Sequence, residues 1–265
     1  MDLKLEGKRV LVTGSTGGIG EGIAKRFARE GATVIINGRR ENGAERISDE
    51  INEANGKAIV AIGDLSIDED VNKVVEIAEN ELGGIDILIN NAAGGAAHEQ
   101  DLTIPTEDWL ISYNINVLSM VRLTKLILPK MQQQGWGRII NISSASAVKP
   151  APGMGAYSTT KAAINNLTVT LAQSMGDDAV TINTVSPGVI FSGAMANMFI
   201  ENGMASTVDE ARDLLNQMGS DGIPFERVGE VEEVADVVVF LASPLASYIH
   251  GANIRVDGGY VPTVN

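Results

Sequence analysis

What most constrains the fold of this 265-residue chain is a rhythm of two alternating patterns. Short runs rich in Val, Ile and Leu recur from end to end, separated by stretches with helical periodicity. The runs are Arg9–Thr13, Thr33–Asn37, Ala58–Ile62, Ile85–Asn90, Gly137–Ser143, Val180–Val185 and Asn253–Asp257. Several are almost continuously apolar instead of alternating. A strand apolar on both sides must be covered on both faces, which is the condition of a parallel sheet layered between helices. Between the runs, residues 19–31 and 68–83 place apolar side chains on one helical face and end in Gly, a helix stop. Seven strands separated by helices predict a single α/β domain over residues 1–265, a doubly wound parallel sheet.

Two stretches depart from this rhythm. A long helix is expected from about Thr106 to Gln134, with Pro129 bending or ending it near its last turn. Residues 188–228 carry many Met, Gly, Asn and acidic residues and no strand pattern. They are read as a helical lid over the substrate, without a strand.

Charge and composition narrow the function classes. A net charge of −14 with no basic patch argues against nucleic acid and anionic membranes as partners. There is no cysteine, hence no disulfide or thiolate chemistry, which suits a reducing cytosol. The charged N-terminus leads straight into a strand and does not read as a signal peptide. No apolar run approaches the ~18 residues of a membrane span. A cytoplasmic location is expected, and no metal.

The first strand runs into "VTGSTGGIGEG". Glycines at 14, 17, 18 and 20 fall where a helix should open. Such a loop lets a pyrophosphate approach the free N–H groups and positive dipole end of the helix. Its place between strand one and helix one identifies a Rossmann-type nucleotide site. The end of strand two reads "INGRR", with Gly38 where an acid would bind a ribose 2′-OH, followed by Arg39 and Arg40. Lack of an acid, with arginines able to hold a phosphate, favours NADP(H), with NAD(H) the alternative. Asp64, after strand three, is placed either at an adenine edge or as a helix N-cap. In "AYSTTKAA", Tyr157 and Lys161 share a helix face one turn apart, where a fixed ammonium could lower the phenol pKa.

Six motifs occur in order: "TGSTGGIG", "NNAA" from Asn90, an Asn at 116, "NISS" from Asn141, "YSTTK" from Tyr157 and "SPG" from Ser186. With them the chain resembles the short-chain dehydrogenase/reductase family, from Lys8 to about Val261, and several segments are similar to its 3-oxoacyl-thioester reductases. The resemblance implies an oxidoreductase that interconverts a ketone and a secondary alcohol. Tyr157 would be the general acid/base. Lys161 would lower its pKa and hold the nicotinamide ribose, and Ser144 would bind the substrate oxygen. Asn116 would anchor a water in a proton relay, with Asn114 as the fallback.

The resemblance also implies a cofactor set: Gly14, Ser15, Thr16, Gly18, Ile19, Gly20, Arg39, Arg40, Asp64, Leu65, Asn91, Ala92, Tyr157, Lys161, Pro187, Gly188, Ile190 and Ser192. Three positions depart from the family pattern. Ala93 replaces a usual Gly, and Ser192 stands where Thr is frequent. Thr16 and Gly17 occupy the place where many NADP-dependent members carry a basic residue. Phosphate recognition is therefore assigned to Arg39 and Arg40, with Ser15 assisting.

The expected substrate pocket comprises Gly94, Gly95, His98, Ser146, Met154, Phe191 and Met195, mostly small or flexible side chains suited to a carbonyl compound of moderate size. A homotetramer is implied, with the helices at 106–134 and 155–175 at one interface. Two other readings stay open: an NAD(H)-preferring sugar or polyol dehydrogenase of the same family, and a nucleotide-binding redox sensor or scaffold.

Overall fold

The computed structural model describes residues 2–94, 101–175 and 179–263. The predicted runs form seven parallel strands: β1 (Arg9–Val12), β2 (Thr33–Gly38), β3 (Lys57–Ile62), β4 (Ile87–Asn90), β5 (Gly137–Ile142), β6 (Val180–Pro187) and β9 (Asn253–Val256). Their order is β3-β2-β1-β4-β5-β6-β9. The chain reverses direction across the sheet between β1 and β4. At such a switch point the carboxyl ends of neighbouring strands open a crevice.

The continuous apolar runs explain the layering. Val10, Val12, Val34, Ile36, Ile87 and Ile89 face one core, with Ile23 and Phe27 of α1 (Gly18–Arg29), Ile47 of α2 (Glu41–Glu53) and Val238 of α9 (Val231–Ala242). The intervening residues Leu11, Ile35, Leu88 and Ile139 face a second. It is closed by Val71 and Val74 of α3 (Asp68–Leu82), Leu123 and Ile127 of α5 (Ser119–Gln133) and Ala172 of α6 (Gly155–Ser174). At the opposite end of the sheet from the crevice, Arg9 Nη2 meets Asp86 Oδ1 at 2.6 Å. This pair holds the Asp86 carboxyl below its ordinary range, against the opposing effect of burial.

The long helix resolves into three parts: α4 (Thr106–Tyr113), a π-turn over Asn114–Leu118, and α5. Pro129 falls inside α5, which stops four residues later at Gln133. Residues 188–228 do contain a strand, contrary to expectation. β7 (Ile190–Phe191) pairs in parallel with β8 (Gly229–Glu230). Two residues are too few to write a periodic pattern. Two helices follow β7: α7 (Gly193–Glu201), whose Ser192 cap accepts the Met195 N–H, and α8 (Val208–Gly219), whose Thr207 cap accepts the Glu210 N–H.

Candidate active site

The glycine-rich loop between β1 and α1 is bolted to the end of β4. Thr13 Oγ1 accepts the N–H groups of Asn91 and Ala92, each at 2.9 Å, and donates to the Ile89 carbonyl at 3.1 Å. The Asn91 amide returns two bonds, to the carbonyls of Thr13 at 2.8 Å and Gly14 at 3.2 Å. Thr13 belongs to none of the expected site residues; nothing but its place before Gly14 signals it. Gly14 sits at φ +62°, and a Cβ there would lie 2.9 Å from Ala92 Cα. A Cβ on Gly20 would fall 2.4 Å from both Asn91 Nδ2 and the Gly14 oxygen. The backbone comes this close because two side chains are missing.

Beside this junction a cavity of about 310 Å³ is lined by Gly14, Thr16, Gly38, Arg39, Asp64 and Ala92. A second, of about 450 Å³, lies over the N-terminus of α1 at Thr16, Gly17, Gly18, Ala194 and Val231. At Gly18 a Cβ would meet nothing within 4 Å, so open space lies beside the first turn of α1, where a helix leaves N–H groups without intrahelical partners. These residues fit a dinucleotide: a small-residue cradle for a pyrophosphate, a pocket for the adenosine end with Arg39 in its lining, and the exposed Arg40 next in the chain.

Other expected cofactor residues take varied places. Ser15 is fully buried; its hydroxyl donates to the Val12 carbonyl at 2.8 Å and accepts the Asn37 N–H at 3.0 Å. That hydroxyl ties β1 to β2. Ile19 packs partly buried against the core. Asp64 does not cap α3, whose N-cap is Ile67. Its Oδ1 instead accepts the Ser66 N–H and hydroxyl at 2.9 and 2.7 Å, shaping the turn that borders the cavity. Leu65 is buried beneath that turn.

The polar centre lies where α6 crosses the ends of β5 and the π-turn. Lys161 is only 2% exposed. Its Nζ donates to the Ile142 carbonyl at 2.8 Å and lies 5.4 Å from the centre of the Tyr157 ring. Burial pulls its ammonium down to about 8. The Ser143 hydroxyl, also unanticipated, donates to the Lys161 carbonyl at 3.0 Å. Burial pushes the Tyr157 phenol above its ordinary value, and a hydrogen bond with Ser144 draws it partway back. Lys161 does not figure among the groups that set this balance at the phenol. The ammonium is committed to a backbone carbonyl, and desolvation dominates at the phenol.

Asn116 accepts the Gly94 N–H at 2.8 Å and donates to the Gly94 carbonyl and to Thr160 Oγ1, both at 2.9 Å. Thr160 donates in turn to the Tyr157 carbonyl at 2.6 Å. Asn114 turns away to the Ser66 carbonyl, so Asn116 is the residue joined to α6. The extra residue of a π-turn breaks helical register, and here it presents Asn116 inward. Beneath the centre, Asn90, Asn141, Thr168 and Thr184 form a buried chain of hydrogen bonds across β4, β5, α6 and β6.

On the substrate side the Ser144 and Ser146 hydroxyls lie 3.1 Å apart. Met154, half-buried, stands at the N-cap of α6. Pro187 ends β6, and Gly188 bonds back to the Val256 carbonyl. Ile190 and Ser192 follow, the Ser192 hydroxyl serving as the α7 cap. Phe191, expected in the pocket, is 4% exposed. Its ring packs with Ala196, Phe199 and Leu215 and lies under the Arg212 guanidinium at 4.2 Å, so it belongs to the core of this segment. Met195 rests partly buried against the same cluster. Gly95 and His98 lie outside the described residues.

A family model described as enoyl-(acyl carrier protein) reductase matches residues 14–261. The chain is 40% identical over 262 residues to the 3-oxoacyl-[acyl-carrier-protein] reductase FabG of Aquifex aeolicus, covering 98% of this chain and 99% of that one. The chain belongs to the short-chain dehydrogenase/reductase family. It is therefore an oxidoreductase of the class acting between alcohol and carbonyl with a nicotinamide cofactor. Other members diverge in substrate. The 7alpha-hydroxysteroid dehydrogenase of Escherichia coli is 31% identical, over 100% of this chain and 98% of its own. The crystal structure of L-sorbose reductase from Gluconobacter frateurii, complexed with NADPH and L-sorbose, superposes with a TM-score of 0.92 at 31% identity, covering 100% of both chains. This short-chain dehydrogenase/reductase shares that fold throughout.

Proposed function

We propose that this chain is an NADP(H)-dependent reductase of a ketone, run in the opposite direction as the dehydrogenase of a secondary alcohol. One observation carries the reading. Ser144, Tyr157, Lys161 and Asn116 come together at the carboxyl ends of β4 and β5, against a crevice that fits a dinucleotide.

The nicotinamide, when bound, supplies or accepts the hydride. The side chains manage the oxygen and its proton. Ser144 holds the carbonyl oxygen, and Tyr157 gives its phenolic proton to that oxygen as the C–H bond forms, leaving the alcohol. The phenol is protonated near neutral pH, the form reduction uses, and burial moves it further in that direction. Lys161, fixed on the Ile142 carbonyl, stays largely cationic at pH 7 near the Tyr157 ring and would hold a ribose hydroxyl of the cofactor. Asn116 holds Gly94 and the Tyr157 turn in register.

The NADP(H) preference rests on exposed Arg39 and Arg40 after the acid-free Gly38, and the NADPH held by the sorbose reductase supports it. Ketones of moderate size are the substrate class, with 3-oxoacyl thioesters, keto sugars and cyclic ketones as its candidates. Residues 188–228 act as the lid of this single domain. A homotetramer is assigned through exposed Leu110, Ile111 and Tyr113 of α4, Leu118 of the π-turn and Leu126 of α5, together with Val169 of α6. The cytoplasm, which holds the nicotinamide pool, is its location. The test follows NADPH absorbance across a panel of those ketones with NADH alongside. Turnover of one class, faster with NADPH, supports the reading; binding of NADPH without turnover of any ketone would favour a sensor.

A further inference from the structure

The helix carrying Tyr157 and Lys161 has no cap of its own. Its N-cap, Met154, makes no side-chain hydrogen bond to the first turn. The cap comes from far back in the chain. Asp101, in a short turn over Asp101–Thr103, accepts the Gly155 N–H on Oδ1 at 2.6 Å and the Gly153 N–H on Oδ2 at 3.1 Å. A Cβ on Gly155 would stand 2.6 Å from Asp101 Oδ1 and 3.3 Å from the Trp109 ring, so the carboxylate gets this close only because position 155 is glycine. Two residues further on is Tyr157. The same stretch after β4 also supplies Gly94, whose N–H and carbonyl are both taken by Asn116.

We propose that Asp101 is a positioning residue for the reaction: through the first turn of α6 it sets where the Tyr157 phenol stands and which protonation state it favours. Two physical effects support this. The bidentate contact fixes the helix start, and with it the phenol, against displacement; a displacement of about 1 Å is worth roughly a hundredfold in rate. The carboxylate also neutralises the positive end of the helix dipole, which would otherwise favour a phenolate in the first turn. Asp101 thus favours the protonated phenol that delivers the proton to a ketone. Sequence patterning gives no hint of the pairing, since the partners stand 52 and 54 residues apart.

The inference rests on Tyr157 as the acid/base, so Tyr157→Phe is measured first; a Phe variant that still turns over substrate overturns both. Asp101→Asn and Asp101→Ala are then compared with the parent for kcat, KM, NADPH dissociation constant and the pH profile of alcohol oxidation. Asn keeps an acceptor but not the charge, and it carries the decision if the Ala variant does not fold. The expected result is a kcat lowered roughly tenfold in Ala and less in Asn, with NADPH affinity within about twofold of the parent. In both variants the limb that reports the phenol should move down by about half a pH unit. A limb that stays at the parent's pH in the folded variants, whatever their melting temperatures, would reduce Asp101 to a structural cap and overturn the proposal.

Discussion

Lys161 Nζ donates to the Ile142 carbonyl at 2.8 Å, at the last residue of β5, while its distance to the Tyr157 ring centre is 5.4 Å. The ammonium of this centre is thus a fixed part of the sheet end. It is held by a strand carbonyl and shielded from water, and burial raises the phenol one turn before it on α6 above its ordinary value.

That burial makes stability depend on pH in a defined direction. Lys161 falls from its ordinary 10.5 to about 8 in the folded chain. Between those values the unfolded chain holds the proton more tightly than the folded one, so stability rises with pH through this window; below about 8 the folded state carries the full penalty of a buried charge. Lys161→Met removes the penalty. Its melting temperature relative to the parent should be most favourable at pH 7 and lose that advantage steadily toward pH 10. Scanning calorimetry of both proteins reads it, and a difference that grows with pH would contradict the burial.

The crevice tolerates no side chain at the loop–strand junction. Gly20→Ala drives a methyl to 2.4 Å from Asn91 Nδ2 and the Gly14 oxygen. It should weaken dinucleotide binding at least ~10-fold and lower stability by about 1–3 kcal/mol. Titration calorimetry and urea unfolding measure the two effects, and parent-like affinity would remove the pyrophosphate from this loop.

The proposed NADP(H) preference rests on the end of β2. Arg39→Ala with Arg40→Ala should raise the NADPH dissociation constant about tenfold or more and leave that of NADH within about twofold. Introducing an acid meets a barrier: a Cβ on Gly38 would lie 2.4 Å from Thr16 Cγ2. Gly38→Asp alone should therefore weaken both cofactors, and NADH binding should recover only when Thr16→Gly clears the space. Comparable NADPH affinity in the double arginine variant would contradict the assignment.

The sheet and its helices were legible because a strand buried on both faces writes itself as an unbroken apolar run, as at Ile35–Ile36 or Ile139–Ile140. The cluster of Tyr157, Lys161, Ser144 and Asn116 was legible as spaced motifs. What escaped depended on contacts between distant segments. Ser15 looked free in the glycine-rich loop and is buried between β1 and β2. Phe191 looked like pocket lining and anchors the α7–α8 segment. The i, i+4 spacing put Lys161 near Tyr157, but no spacing reveals that Ile142 claims the ammonium. Neither could β7 be seen, since its two residues pair with Gly229 and Glu230.

Asn116 offers a check on the proton side of the site. Its amide satisfies both backbone groups of Gly94 and the Thr160 hydroxyl. Asn116→Ala strands these partners, and it should lower stability by about 1–3 kcal/mol and kcat by at least ~10-fold. Asn116→Asp keeps the acceptor to the Gly94 N–H but loses both donors and sets a carboxylate against the Gly94 carbonyl, so it should be no milder than Ala. Unfolding midpoints with steady-state rates distinguish these outcomes; an Ala variant with parental kcat would remove Asn116 from the working site.

The most direct measurement is turnover of NADPH by Tyr157→Phe with whichever ketone the parent reduces. The change removes one oxygen and keeps the ring. With Tyr157 as the proton donor, the variant loses roughly 10²- to 10⁴-fold in kcat while binding NADPH within about twofold of the parent. Turnover close to the parent's in a variant that still binds NADPH would contradict the central assignment and move the proton to another group.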